Sequence, residues 1–178
     1  MRTDKYDLGY VDHIYNDLFT SLKPSAGFTM FEIGIYNGDS ILLWDGYLGS
    51  GCTIYAGDVN KFPIPNTTNV VVPVIGNCYD HTTAASFRDG CLDLLVDDGP
   101  HTYESFVLLL VLYQSKLKVG GTMVIEDIIQ PHWACWLADL AKRLGYSSSQ
   151  CLDMRGRQLT PELLSRWEGG LDVLILTR

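Results

Sequence analysis

Long apolar runs, regularly spaced cysteines, internal repeats and an excess of basic charge are all missing from this sequence. No stretch approaches the ~20 apolar residues that span a bilayer. The N-terminus MRTDKYDLGY also lacks the apolar segment of a secretory signal. Both absences lead to the expectation of a soluble chain with no membrane partner. The five cysteines (Cys52, Cys78, Cys91, Cys135, Cys151) are odd in number and form no C-x-x-C pair, which excludes a disulfide framework and a zinc knuckle. Buried thiols in a reducing compartment are expected, with the cytoplasm as default. The 13 Lys+Arg against 21 Asp+Glu leave a net charge of −8, which works against gripping a phosphate backbone. A nucleic-acid partner is therefore not expected, although Lys142, Arg143, Arg155 and Arg157 could make a local basic patch.

What is present is enough apolar matter for a core: 47% hydrophobic against 19% charged residues, far from the composition of disorder. With no linker in sight, a single domain over 1–178 is expected; the turn-rich stretch 61–69 reads as a loop. Apolar, β-branched runs at 29–36, 52–59, 70–75, 92–97 and 122–128 read as strands covered on both faces, as in a parallel sheet. Helical patterns fall between them at 39–48, 102–118 and 132–144, with a leading helix near 11–22 and two last strands near 149–154 and 171–177. The alternation predicts an open α/β sheet with right-handed crossovers, and ligands bind such sheets beyond the carboxyl ends of the strands.

At the first strand end, Phe31-Glu32-Ile33-Gly34-Ile35-Tyr36-Asn37-Gly38 places Gly34 at the turn and Gly38 where the next helix starts. Tyr36 stands where a dinucleotide fingerprint needs its middle glycine, so a ligand without a pyrophosphate fits better. The pattern E-x-G-x-x-x-G, from Glu32 to Gly38, resembles motif I of class I S-adenosylmethionine-dependent methyltransferases. Asp58 ends the second strand 20 residues after Gly38, close to the ~20-residue offset at which a carboxylate can accept from ribose hydroxyls. Enzymes with this motif often place an Asp or Asn after the third strand against the adenine, and the resemblance gives that place to Asn77.

The fourth strand runs out in Val96-Asp97-Asp98-Gly99-Pro100-His101 and the fifth in Ile125-Glu126-Asp127. If the two strands are neighbours, four carboxylates crowd one mouth. Like charges held close raise each other's pKa or need a cation between them, and oxygen-rich clusters suit Mg²⁺, Mn²⁺ or Ca²⁺. Alternate strand residues point to opposite faces, so Asp97/Asp98 or Glu126/Asp127 can share an ion only where strand gives way to loop. Asp97 caps the following turn or meets the cofactor's amino-acid end; the sequence leaves both open. His13, His81 and His132 read as structural or solvent-facing.

Together, E-I-G-x-x-x-G-x-S, Y-A-G-D, D-D-G-P-H-T-Y-E and L-K-V-G-G-T-M-V-I-E-D resemble the metal-dependent sugar O-methyltransferases of macrolide biosynthesis, the mycinamicin and macrocin type. The resemblance runs from about Phe31 to Ile128. It implies a Rossmann-like class I methyltransferase fold, a mostly parallel seven-stranded sheet with helices on both faces. It also implies an S-adenosylmethionine-dependent methyltransferase acting on a hydroxyl of a small molecule of sugar or natural-product type. Carried over residue by residue, the family's metal ligands become Asp98, Glu126 and Asp127 and its general base His101, with Asp98 and His101 as the catalytic pair. The cofactor residues are Glu32, Gly34, Gly38, Asp58, Asn77 and Asp97. Two departures bear on the substrate: Pro100 stands where the family usually has Ser, and only about 28 residues precede the first strand. The region with which the macrolide enzymes assemble and close over substrate is thus expected to be missing, which leaves an open site or one closed by a second copy, as a homo-oligomer, equally compatible. An RNA 2′-O-methyltransferase would share fold and cofactor, but it resembles a Lys-Asp-Lys-Glu arrangement, and here Glu126-Asp127 follows strand five. A non-catalytic S-adenosylmethionine-binding module is the further alternative, distinguished by absence of turnover with any acceptor.

Overall fold

The computed structural model describes residues 3–154 and 172–178. Arg155 and Arg157 of the expected basic patch, and Leu171 of the expected last strand, lie outside the described residues.

Among the described residues seven strands form one sheet: β1 (Thr29–Ile33), β2 (Thr53–Asp58), β3 (Val70–Ile75), β4 (Leu92–Asp97), β5 (Leu117–Ile128), β6 (Ser148–Asp153) and β7 (Asp172–Thr177). Their order is β3-β2-β1-β4-β5-β7-β6. β1 pairs in parallel with both β2 and β4, β4 pairs in parallel with β5, and β7 runs antiparallel between β5 and β6. The order reverses between β1 and β4, so the crevice above their carboxyl ends is the place where an open α/β sheet binds ligands.

The near-continuous apolarity of the central strands follows from cover on both faces. Met30, Ile54, Leu94, Val96 and Val124 pack on the face under the N-terminal helical segment and α2 (Asp39–Tyr47). Phe31, Ile33, Leu95, Met123 and Ile125 pack on the other, under α4 (Tyr103–Tyr113) and α5 (Pro131–Leu144). Successive residues thus divide between two cores by the two-residue period of a strand.

Several boundaries differ from the sequence pattern. The leading helix begins as a π-helical turn, Val11–Tyr15, and continues as α1 (Asn16–Leu22). A short α3 (His81–Ala85), capped by Asp80, follows β3; its five residues are too few to show an apolar period. The helix expected over 102–118 ends at Tyr113, because Leu117 is drawn into the sheet opposite Leu92 and β5 starts five residues early. Strand pairing there overrides helical propensity. Cys52 and Cys78 are buried and Cys91 is half-buried, whereas Cys135 and Cys151 are exposed, against the expectation of burial. Among the described residues no helix is long and apolar enough to cross a membrane.

Candidate active site

A cavity of about 610 Å³ opens above the carboxyl ends of β1, β2, β3 and β4. Gly34, Asp58, Asn77, Asp98 and His101 line it, together with Thr3 and Asp4 of the N-terminal segment. The switch in strand order, the first glycine turn and the acidic mouth therefore coincide.

The turn after β1 is tightly built. Gly34 has φ +95°, and a Cβ there would overlap the backbone carbonyl of Asp98. Only glycine permits both the left-handed backbone and that close approach. Asp58 closes the turn from β2: its Oδ2 accepts from the backbone N–H of Ile35 at 3.1 Å and Tyr36 at 2.9 Å, and its Oδ1 accepts from Asn60 N–H at 2.8 Å. The carboxylate thereby fixes the floor of the cavity while facing into it. Glu32, Gly38 and Asp97 stand behind the cavity wall. Gly38 caps α2 with φ +86°. Glu32 is fully buried and accepts from the Ser40 hydroxyl at 2.6 Å; burial pushes its carboxyl up to about 7 against the pull of Lys5 and Ser40. Asp97 is likewise fully buried and accepts from the Tyr79 hydroxyl, and burial raises it to about 7.

The two acidic strand ends do meet, since β4 and β5 are hydrogen-bonded neighbours with Asp97 opposite Ile125. Asp98, His101 and Asp127 each offer one ligand atom, and the three atoms lie within 4.8 Å of one another. His101 Nε2 is 3.7 Å from Asp98 Oδ1 and 3.8 Å from Asp127 Oδ2, beyond hydrogen-bonding distance from either. His101 and Asp127 have φ of +54° and +52°, a left-handed backbone that is costly for side chains with a Cβ and that clusters at functional sites. The chain context supplies the means: Gly99-Pro100 breaks the run into His101, and a Thr102–Ser105 capping box starts α4 directly after it.

Glu126 stands apart from that group. β5 continues as strand through Ile128, so Glu126 keeps the face of Val124, under the N-terminal segment, while Asp127 is turned toward His101 by its own φ. There the Glu126 carboxylate accepts from Lys5 and from the Tyr15 hydroxyl. Lys5 Nζ also lies 2.6 Å from Asp98 Oδ2 and 3.5 Å from Glu32 Oε1. Tyr10, on the same segment, donates its hydroxyl to Asp127. Burial alone would lower the Lys5 ammonium's pKa, but Asp98, Glu126 and Glu32 outweigh it and hold the value well above the usual lysine range. One ammonium cannot balance three carboxylates. The surplus appears as a Glu126 carboxyl raised well above its usual range, by burial first and by Asp98 and Asp127 next. Asp127 is pushed up to about 6 by burial and Asp98, against the pull of His101 and Tyr10. The motif pattern identifies the carboxylates but not Lys5, Tyr10 or Tyr15, which lie far from any motif and carry no local signal. Tyr79 does carry a local signal, since it stands two residues after Asn77 at the same strand end.

A family model described as a methyltransferase domain matches residues 31–128. The chain belongs to this family. Its sheet and glycine turn are those of a class I S-adenosylmethionine-dependent methyltransferase. The chain is 26% identical over 146 residues to the 8-demethyl-8-alpha-L-rhamnosyl tetracenomycin-C 2′-O-methyltransferase of Streptomyces olivaceus, covering 74% of this chain and 36% of that enzyme. It thus spans about a third of the length of this curated relative. Among solved structures, the MycE methyltransferase of the mycinamycin biosynthetic pathway superposes with a TM-score of 0.54 at 20% identity, over 74% of this chain and 34% of MycE. A methyltransferase from Pyrococcus furiosus superposes with a TM-score of 0.62 at 16% identity, over 92% of this chain and 81% of that one. These structural likenesses bear on the fold alone.

Proposed function

We propose that this methyltransferase transfers the methyl group of S-adenosylmethionine to a hydroxyl of a small molecule of sugar or natural-product type. The observation that carries the reading is the continuity of one cavity from Asp58 and Asn77 to Asp98 and His101. A nucleoside held at the first end would present its sulfonium methyl toward the second. The relative from Streptomyces olivaceus, named for methylation of a rhamnosyl 2′ oxygen, supports the acceptor class.

In this reading Asp58 accepts from the ribose hydroxyls, Asn77 faces the adenine, and Gly34 lets the backbone approach the amino-acid end. Glu32, Gly38 and Asp97 hold those groups from behind. The acceptor oxygen attacks the methyl carbon; the O–CH₃ bond forms as the S–CH₃ bond breaks, and S-adenosylhomocysteine leaves as a neutral thioether. His101 Nε2 takes the hydroxyl proton, the role its position beside the cavity suits, and positioned bases of this kind contribute ~10²–10⁴-fold.

The donor set fits a hard divalent cation, because Asp98 and Asp127 bring two carboxylates and His101 within 4.8 Å of one another. Asp98 and Asp127 would hold it, Mg²⁺ first and Mn²⁺ or Ca²⁺ as substitutes. Glu126, the further ligand that the family resemblance implies, joins them only by leaving Lys5. Such an ion, when bound, lowers the pKa of a coordinated hydroxyl. MycE has been solved with Mg and S-adenosylhomocysteine, which supports the same pairing here.

The test is calorimetric titration with S-adenosylhomocysteine, followed by S-adenosylhomocysteine release from S-adenosylmethionine in the presence of rhamnosylated polyketides. Binding, with turnover that EDTA abolishes and Mg²⁺ restores, is the expected result. Absence of cofactor binding would overturn the reading altogether, and turnover indifferent to EDTA would remove the ion from it.

A further inference from the structure

Among the described residues Lys5 is an unusual group. Lysine is rarely buried, yet this side chain is 1% exposed and ends among Glu32, Asp98 and Glu126. Its ammonium also lies 5.8 Å from the Trp44 ring centroid. The backbone around it is anchored: the Lys5 carbonyl accepts from the N–H of Tyr10 at 2.9 Å and of Val11 at 3.3 Å. The segment that brings Lys5 also delivers the Tyr10 hydroxyl to Asp127 and the Tyr15 hydroxyl to Glu126. By hydrogen bonds alone, three donors from one segment thus engage three carboxylates from two strand ends, Asp98, Glu126 and Asp127.

We propose that Lys5 is the resident cation of the acidic mouth and competes with a divalent ion for Asp98 and Glu126. The inference rests on the metal reading above and deepens it. With Lys5 in place, Glu126 is its counter-ion, and Asp98 gives one oxygen to the ammonium and turns the other toward His101. The mouth is split into a lysine-held half and a cavity-facing half. A divalent ion in the cavity-facing half meets two carboxylates instead of three, with a positive charge close behind one of them. Lys5 is a positioning residue: it fixes where Asp98 points and weakens, rather than forms, the ion site.

The competition is read by Mn²⁺ titration, followed by electron paramagnetic resonance, of four full-length proteins: wild type, Lys5→Met, Glu126→Gln and the double variant. Lys5→Met should bind Mn²⁺ at least tenfold more tightly than wild type, because Glu126 is released to the ion. Glu126→Gln should bind within about threefold of wild type, and in the double variant the gain from Lys5→Met should shrink to the part that comes from removing the positive charge behind Asp98. Unchanged affinity in Lys5→Met, or a tenfold loss in Glu126→Gln alone, would overturn the competition while leaving the ion site intact. No Mn²⁺ binding by any of the four would overturn the metal reading and the competition with it. Thermal unfolding of the same four proteins without metal reports the pairing separately. Lys5→Met, which strands buried carboxylates, should lower Tm by about 10 °C, and adding Glu126→Gln should recover part of the loss. A Lys5→Met protein as stable as wild type would overturn the pairing.

Discussion

Gly34 packs directly against the backbone carbonyl of Asp98, so the turn that would cradle the cofactor and the first acid of the reacting mouth share one contact. Asp98 N–H donates to the Ile33 carbonyl at 2.9 Å beside it. Gly34→Ala adds a methyl group at φ +95° against that carbonyl. It should cost about 2 kcal/mol or more in stability and at least tenfold in S-adenosylhomocysteine affinity, measured by denaturant unfolding and calorimetry. An unchanged affinity would separate the two strand ends that the contact joins.

His101→Ala tests the base. Turnover should fall by about 10²-fold or more, while S-adenosylhomocysteine binding stays within twofold, because Asp58 and Asn77 are untouched. Undiminished release of product would remove His101 from the mechanism.

Asp58 serves the turn and the proposed ribose site at once. Asp58→Ala leaves the N–H groups of Ile35 and Tyr36 without their acceptor, and hydrogen bonds to a charged group contribute ~1.5–3 kcal/mol. Cofactor affinity should drop about ten- to a hundredfold. Asp58→Asn should recover only part of this, since its amide turns a donor toward backbone donors. Isothermal titration of both variants orders them.

Asp97 makes a prediction about pH. Its carboxyl is raised from 3.8 to about 7 by burial, so in this interval the folded chain holds a proton that the unfolded chain has released. Stability from this group is therefore full below the unfolded value and is lost as pH rises through 7. Between pH 5 and 8 the loss amounts to about 2–3 kcal/mol. Asp97→Asn keeps an acceptor for the Tyr79 hydroxyl and removes the titration. Its unfolding free energy should fall less than that of wild type over the same pH range, and equal slopes in urea melts would contradict the burial argument.

The strand ends were legible in the sequence because glycine turns and acids after apolar runs are local features, readable from neighbours alone. Gly34, Asp58, Asn77, Asp98 and His101 all reach the cavity for that reason. Glu126 and Asp127 were legible as a pair but not as a divided one: where β5 stops being strand depends on its partner β7, whose register slips between Ile125 and Ile128. The end of α4 is set by the same kind of long-range pairing, Leu117 with Leu92, which no local pattern shows.

Apolar runs and turn chemistry were enough by themselves to specify the parallel core and the glycines and acids that end its strands, since each follows from short-range pattern. What only the tertiary structure decided is how those acids are neutralised. Lys5 reaches Glu126 across 121 residues of sequence. Burial cost is set by the whole surroundings of a charge rather than by its neighbours in the chain, and no local pattern encodes such a pairing.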